Sequence, residues 1–211
     1  RTQWVLKIIQ EKQVQYTDII DLFQVQNVSK LYIQCNFFTD LGNQIIDRFW
    51  KSSIIKNSLN IFESTTKTQL ELLITKAIYW FSDAHKDKII TMQFIKYWSC
   101  IEVFFSIRGK TTQSLSTGIS AILTHGPYQF IDKKHYTDIK KKFDDLYDLR
   151  SRALHDGNYH NISWREVSYL SQHVSWMLIN MITISTQGHN EITQIRKEVE
   201  KIDMQLNKTS K

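Results

Sequence analysis

Proline occurs once and glycine six times in 211 residues. A chain so poor in breakers has few places to turn sharply, and a β protein of this length needs many turns. The scarcity points to long helices and an all-α fold. Hydrophobic residues make up 42% of the chain and charged residues 23%. That is enough apolar side chain for a core and too much for a disordered protein. The length suits one domain with appendages.

The net charge of +6, with a pI near 9.2, favours an acidic partner such as RNA, although many ordinary helical domains are equally basic. Cys35 and Cys100 sit among apolar neighbours and read as buried thiols of a reducing compartment, not as a disulfide framework. His125, His135, His160, His173 and His189 are scattered, and no Cys or Asp stands at zinc spacing, so neither a metal site nor a cofactor is expected. The longest apolar stretch, Met177 to Ile184, is interrupted by Asn180 and Thr183 and is far shorter than a membrane span. With no signal-peptide pattern, the expected location is cytoplasmic, away from membranes. The chain opens on Arg1, which reads as a piece of a longer protein.

Periodicity divides the chain into 1–64, 65–187 and 188–211. The first segment carries apolar positions in mixed order (Trp4, Leu6, Ile8, Ile9; Ile19, Ile20, Leu22, Phe23; Ile45, Ile46, Phe49, Trp50). It reads as additional helices or the tail of an upstream domain. In the second, Leu70, Leu73, Ile74, Ala77, Ile78 and Phe81 mark a helix to about Ala84, followed by a polar turn over 83–87. Another runs from about Lys88 to Ile107 with Phe94, Ile95, Trp98, Ile101, Phe104 and Phe105 inward. A short helix over 112–124 closes at Gly126-Pro127. Tyr136 to Leu154 follows, striped by Ile139, Phe143, Leu146, Leu149 and Ala153, and Asp156-Gly157 stops it. Ser163-Trp-Arg-Glu166 has the form of a capping box that starts a helix to about Thr186. In the third segment Ile192, Ile195, Val199, Ile202 and Leu206 form a short heptad-like seam, able to pack on the domain or to pair with a second copy.

Chemistry concentrates in Asp148-Leu-Arg150-Ser151-Arg152-Ala-Leu-His155-Asp-Gly157. Arginine grips phosphate through a planar fork of donors, and histidine titrates near neutral pH. On spacing alone, a surface arginine and a helix-terminal histidine is the commoner arrangement. On an ideal helix Arg150 and His155 face different sides, so a shared site requires the helix to end at His155. The carbonyls exposed at that end favour the protonated imidazole. Glu102 is the lone carboxylate in its apolar helix, and Arg150 is a sensible partner for it.

Two segments, Phe94-Ile-Lys-Tyr-Trp-Ser-Cys-Ile-Glu102-Val-Phe-Phe105 and Leu146-Tyr-Asp-Leu-Arg150-Ser-Arg-Ala-Leu-His155-Asp-Gly157, together resemble the Apea-like branch of the HEPN domains. The resemblance covers roughly residues 70 to 186, and Asp156 between histidine and glycine departs from the family pattern. It implies a HEPN-like helical bundle that forms a homodimer with two Arg–His sites side by side. It further implies a metal-independent endoribonuclease of a toxin or anti-phage system, linked to an upstream sensor domain or a neutralising partner. His155 would move protons, Arg150 would stabilise phosphorane charge, Glu102 would orient Arg150, and Ser151 would hold the site's geometry or touch the phosphate. Arg152, Lys141, Lys142 and Tyr159 are the candidate RNA-binding residues. Tyr147 and Trp164 are aromatics that stack on bases or, more commonly, fill a core. The alternative, from the same family, is a catalytically inactive module for nucleotide or RNA binding or for dimerisation.

Overall fold

The computed structural model describes residues 52–107, 111–155 and 162–209, with only the backbone of Thr111, His155 and 207–209. The expected segment 1–64 falls outside the described residues except for 52–64. The chain divides into two units, Arg1–Lys56 and Asn57–Lys211. The fold is all-α: seven helices and one 3-10 turn, with no strand among the described residues. The helices are α1 (Ser53–Glu63), α2 (Gln69–Lys86), α3 (Ile90–Phe105), α4 (Thr111–His125), α5 (Tyr136–His155), α6 (Trp164–Thr186) and α7 (Ile192–Thr209), and the 3-10 turn Lys133–His135 leads into α5.

Helix α2 starts on a capping box. The Thr68 N–H donates to Glu71 Oε2 at 2.7 Å, and the Glu71 N–H donates to Thr68 Oγ1 at 3.2 Å, satisfying two of the orphan donors at a helix start. The helix continues to Lys86, past the expected stop near Ala84. Asp83, His85 and Lys86 are polar because their side of the last turn is exposed, with Ala84 between them buried, not because the backbone turns there. Asp83 and Asp87 both bind Lys96 of α3 at 2.7 Å, tying the two helices at their junction. At its other end α3 stops at Phe105 rather than Ile107. Arg196 of α7 donates to the Phe104 carbonyl at 2.8 and 2.6 Å and to that of Ser106 at 3.2 Å, taking up carbonyls the helix leaves unpaired. Ser163 and Glu166 form the expected capping box at the start of α6.

Helices α2 and α3 pack as one pair and α4 and α5 as another. Helix α6 lies against α2, α3 and α4, and α7 closes on α4. The apolar stripes face inward: Phe94, Trp98, Ile101, Phe104 and Phe105 of α3, and Phe143, Leu146, Leu149 and Ala153 of α5, are buried. Each fully buried large apolar side chain contributes about 1.5–3 kcal/mol, so packing outweighs helix propensity in holding this bundle. The seam on α7 is used within the bundle: Ile192, Ile195 and Val199 are buried, and Ile202 and Leu206 pack against the same core.

At Gly118 of α4 the Phe105 ring of α3 occupies the space a side chain would need. A Cβ there would lie 2.3 Å from the Phe105 ring, far inside van der Waals contact. Gly118→Ala should therefore destabilise the protein by about 1–3 kcal/mol, measured by urea unfolding, although alanine is the better helix former. An unchanged or raised midpoint would show that Phe105 has room to move.

Two histidines lie where burial disfavours the charged imidazole. Burial depresses the His173 pKa, against a smaller opposing effect from its bond to the Tyr169 carbonyl. Burial also depresses that of His125, with Lys133 adding to the effect. Below the ordinary histidine pKa of about 6.5 the unfolded chain takes up protons that the folded state resists. The stability these groups supply is thus complete above about pH 6.5 and is lost as pH falls toward their depressed folded values. Melting temperature should fall between pH 7.5 and 5 in wild type, and a His173→Phe variant should show a shallower fall.

Candidate functional site

The site is built where the second half of α5 crosses the end of α3. Phe143, Leu146 and Arg150 share one face of α5. Phe143 packs on Trp98 with ring centroids 6.3 Å apart, and Tyr147 packs on the same tryptophan at 5.9 Å. One turn beyond Trp98 on α3 stands Glu102, and the two helices bring it to Arg150: Nη2 to Oε1 is 2.8 Å. The pair is half-buried, with side-chain exposures of 21% for Arg150 and 25% for Glu102. Burial raises the Glu102 pKa, and the Arg150 charge opposes the rise. Arg150 Nε is buried and has no hydrogen-bond partner among the described residues. The guanidinium is thus gripped through one terminal nitrogen. A carboxylate that fixes one edge of the fork leaves the remaining donors for an anion.

The lone carboxylate of α3 and the arginine of α5 are therefore brought together. Ser151 is half-buried next to Arg150 in sequence, and α5 ends at His155. The His155 side chain lies outside the described residues, as do Asp156, Gly157, Tyr159 and His160. Of the expected RNA-binding residues, Lys141, Lys142 and Arg152 are exposed. Lys142 Nζ stands 5.8 Å over the Tyr169 ring, and Arg152 Nε makes a long bond of 3.4 Å to the Asp148 carbonyl. Lys140, their neighbour in sequence, is instead committed inward, 2.7 Å from Asp203 of α7, where the Tyr136 hydroxyl also donates at 2.8 Å. Tyr147 is a packing residue, whereas Trp164 is 58% exposed.

Cys100 is a buried thiol whose Sγ contacts the Ala77 and Lys96 carbonyls, each at 3.4 Å, and burial pushes its pKa up to about 12. Such a thiol is inert as a nucleophile. Cys35 lies outside the described residues. Among the described residues no group of three or more His, Cys, Asp or Glu is placed to hold a metal ion, and no helix is long and apolar enough to cross a membrane.

Two features escape the sequence reading. Arg196 fixes the end of α3, the helix that carries Glu102; the only signal for it is a lone arginine beside a heptad-like seam. The other is a row of ring contacts along α6, where Tyr169, His173 and Trp176 recur at steps of four and three, His173 meets Trp176 edge-on, and Phe130 and Tyr128 stack onto Trp176. The α6 spacing is visible in the sequence, but the loop's part in it is not. In comparisons with known proteins, no family model, no curated protein and no solved structure matches this chain.

Proposed function

We propose that this protein is a metal-independent endoribonuclease of HEPN type that works as a homodimer in a prokaryotic toxin or anti-phage system. The observation that supports it best is the Glu102–Arg150 ion pair of 2.8 Å. It joins the two segments that carry the family resemblance, on α3 and on the helix that ends at His155. The reaction is transesterification. The RNA 2′-hydroxyl loses its proton to one His155 and attacks the neighbouring phosphorus. The P–O5′ bond breaks, and the paired subunit's histidine supplies the proton taken up by the leaving 5′-oxygen. Arg150 stabilises the charge that develops on the phosphorane, Glu102 holds Arg150 in register, and Ser151 steadies the phosphate. Products carry 2′,3′-cyclic phosphate and 5′-hydroxyl ends, and Lys141, Lys142 and Arg152 draw the polyanion in.

The test is incubation of the full chain with mixed RNA in EDTA, with product ends mapped, beside a His155→Ala variant. Cyclic-phosphate ends that vanish in the variant are the expected result. Intact RNA with wild type, or equal cleavage by both proteins, would overturn the proposal and leave a silent nucleotide-binding or dimerisation module as the better reading.

A further inference from the structure

Residues 126–130 form a turn more heavily built than a connection requires. Gln129 holds a left-handed backbone with φ 41°, which a residue with a side chain adopts only where its surroundings enforce it. The enforcement comes from Asn180, fully buried in the middle of α6. Its Oδ1 accepts from the Tyr128 N–H at 3.0 Å, and its Nδ2 donates to the Ile122 carbonyl at 3.2 Å. The Gln129 N–H closes the turn on the Gly126 carbonyl at 3.1 Å. Only glycine fits at 126, because a Cβ would lie 2.3 Å from the Ile122 carbonyl oxygen and 2.9 Å from Asn180 Oδ1.

What this turn holds in place is a tyrosine that remains 42% exposed. Tyr128 stacks on Phe130 at 5.5 Å and 26°, and Phe130 lies almost parallel to Trp176 at 5.4 Å and 7°. Trp176 meets His173 edge-on at 5.1 Å and 61°, and His173, itself buried, stacks on Tyr169 at 3.9 Å. Phe130, Trp176 and Tyr169 are half-buried and lie on either side of the buried His173. Lys142 sits over the Tyr169 end of this ladder of rings, while exposed Lys133 and Lys134 follow Phe130 at the other. Lys134 is partly spoken for by Asp132 at 3.2 Å.

A buried amide and a strained backbone that keep an exposed ring in stacking register add little to the core. Their product is an exposed tyrosine backed by stacked rings, with lysines near both ends of the row. That combination suits single-stranded nucleic acid, whose bases stack on rings of any sequence while phosphates meet lysines. A protein partner would be expected to favour a drier patch with fewer cations. Phe143, packed on Tyr169 at 6.1 Å, precedes Arg150 on α5 by about two turns, so the Tyr169 end of the ladder is the one toward the Glu102–Arg150 pair.

We propose that the stack of Tyr128, Phe130 and Trp176, with Tyr169 beyond the buried His173, is a docking track for single-stranded RNA, with a base on Tyr128 and phosphates on Lys133 and Lys142. The choice of RNA over DNA rests on the ribonuclease reading. The test uses the full chain and a short fluorescent 2′-O-methyl oligonucleotide, which cannot undergo 2′-hydroxyl attack, with binding followed by anisotropy. Tyr128→Ala should weaken binding about tenfold, and Tyr128→Phe should stay within about twofold of wild type. Lys133→Glu should weaken binding and flatten its salt dependence. Should Tyr128→Ala fail to fold by circular dichroism, Lys133→Glu decides. Oligonucleotide affinity unchanged in both variants, or no binding by wild type at low salt, overturns the track. So does a shift in self-association in Tyr128→Ala with oligonucleotide affinity intact, which would make the ladder an interface between copies. Because the probe cannot be cut, ladder-dependent binding without any RNA cleavage would sink the ribonuclease reading alone. Cleavage with ladder-independent binding would sink the track alone.

Discussion

Arg150→Ala should lower RNA cleavage by about 10²–10³-fold, the loss typical of removing one preorganised donor from a site that stabilises developing negative charge. The fold should survive, because Arg150 is half-buried at the edge of the bundle and its main contact is with one carboxylate. That carboxylate supplies a second readout. The Arg150 charge is what opposes the burial that raises the Glu102 pKa, so in the variant the Glu102 carboxyl should titrate at a higher pH still. A carbon-detected NMR titration of the Glu102 side chain measures this without any substrate. Glu102→Gln should cost less than Arg150→Ala, since it loosens the guanidinium without removing it. The double variant should be no worse than Arg150→Ala alone, because Glu102 acts through Arg150. If the two losses instead multiplied, Glu102 would have a role of its own in the reaction.

The Glu102–Arg150 pairing was legible because of a simple imbalance: a single carboxylate within a run of large apolar residues has to find a cation or a hydrogen bond. The stripes of α2, α3, α5 and α7 were legible for a similar reason, since a 3.6-residue period survives whatever the helix packs against. Helix ends were less so. Polarity at Asp83, His85 and Lys86 marks the exposed side of the last turn of α2, and only the Asp83 and Asp87 bonds to Lys96 show why polar side chains belong there. Helix α3 ends where Arg196, far along the chain, reaches its carbonyls. Lys140 looks like its neighbours in a basic run until Asp203 of α7 is seen to hold it. Asn180, which in sequence only interrupts an apolar stretch, proves to be the buried amide that anchors the 126–130 turn. In each of these cases the deciding partner is distant in sequence, and periodicity carries no information about it.

The same logic makes Phe143 the most consequential core position. Its ring is fully buried and touches Trp98 of α3 at 6.3 Å, Tyr169 of α6 at 6.1 Å and His173 of α6 at 5.9 Å. It thereby joins α5, the helix that carries Arg150, to α3 and α6, while the main packing of α5 is on α4. Phe143→Ala should cost about 3–5 kcal/mol, combining lost transfer energy with the cavity left among rings too rigid to collapse into it. Against a total stability of about 5–15 kcal/mol for a domain, that is enough to lower the urea midpoint sharply with an unchanged slope. Phe143→Leu, which keeps most of the volume, should cost about 1 kcal/mol. The two kinds of defect should separate by temperature. Cleavage lost in Phe143→Ala should return on cooling as the folded fraction recovers, whereas cleavage lost in Arg150→Ala should not. If Phe143→Ala costs less than about 1 kcal/mol, the contacts between α4 and α5, rather than this aromatic junction, set the position of Arg150.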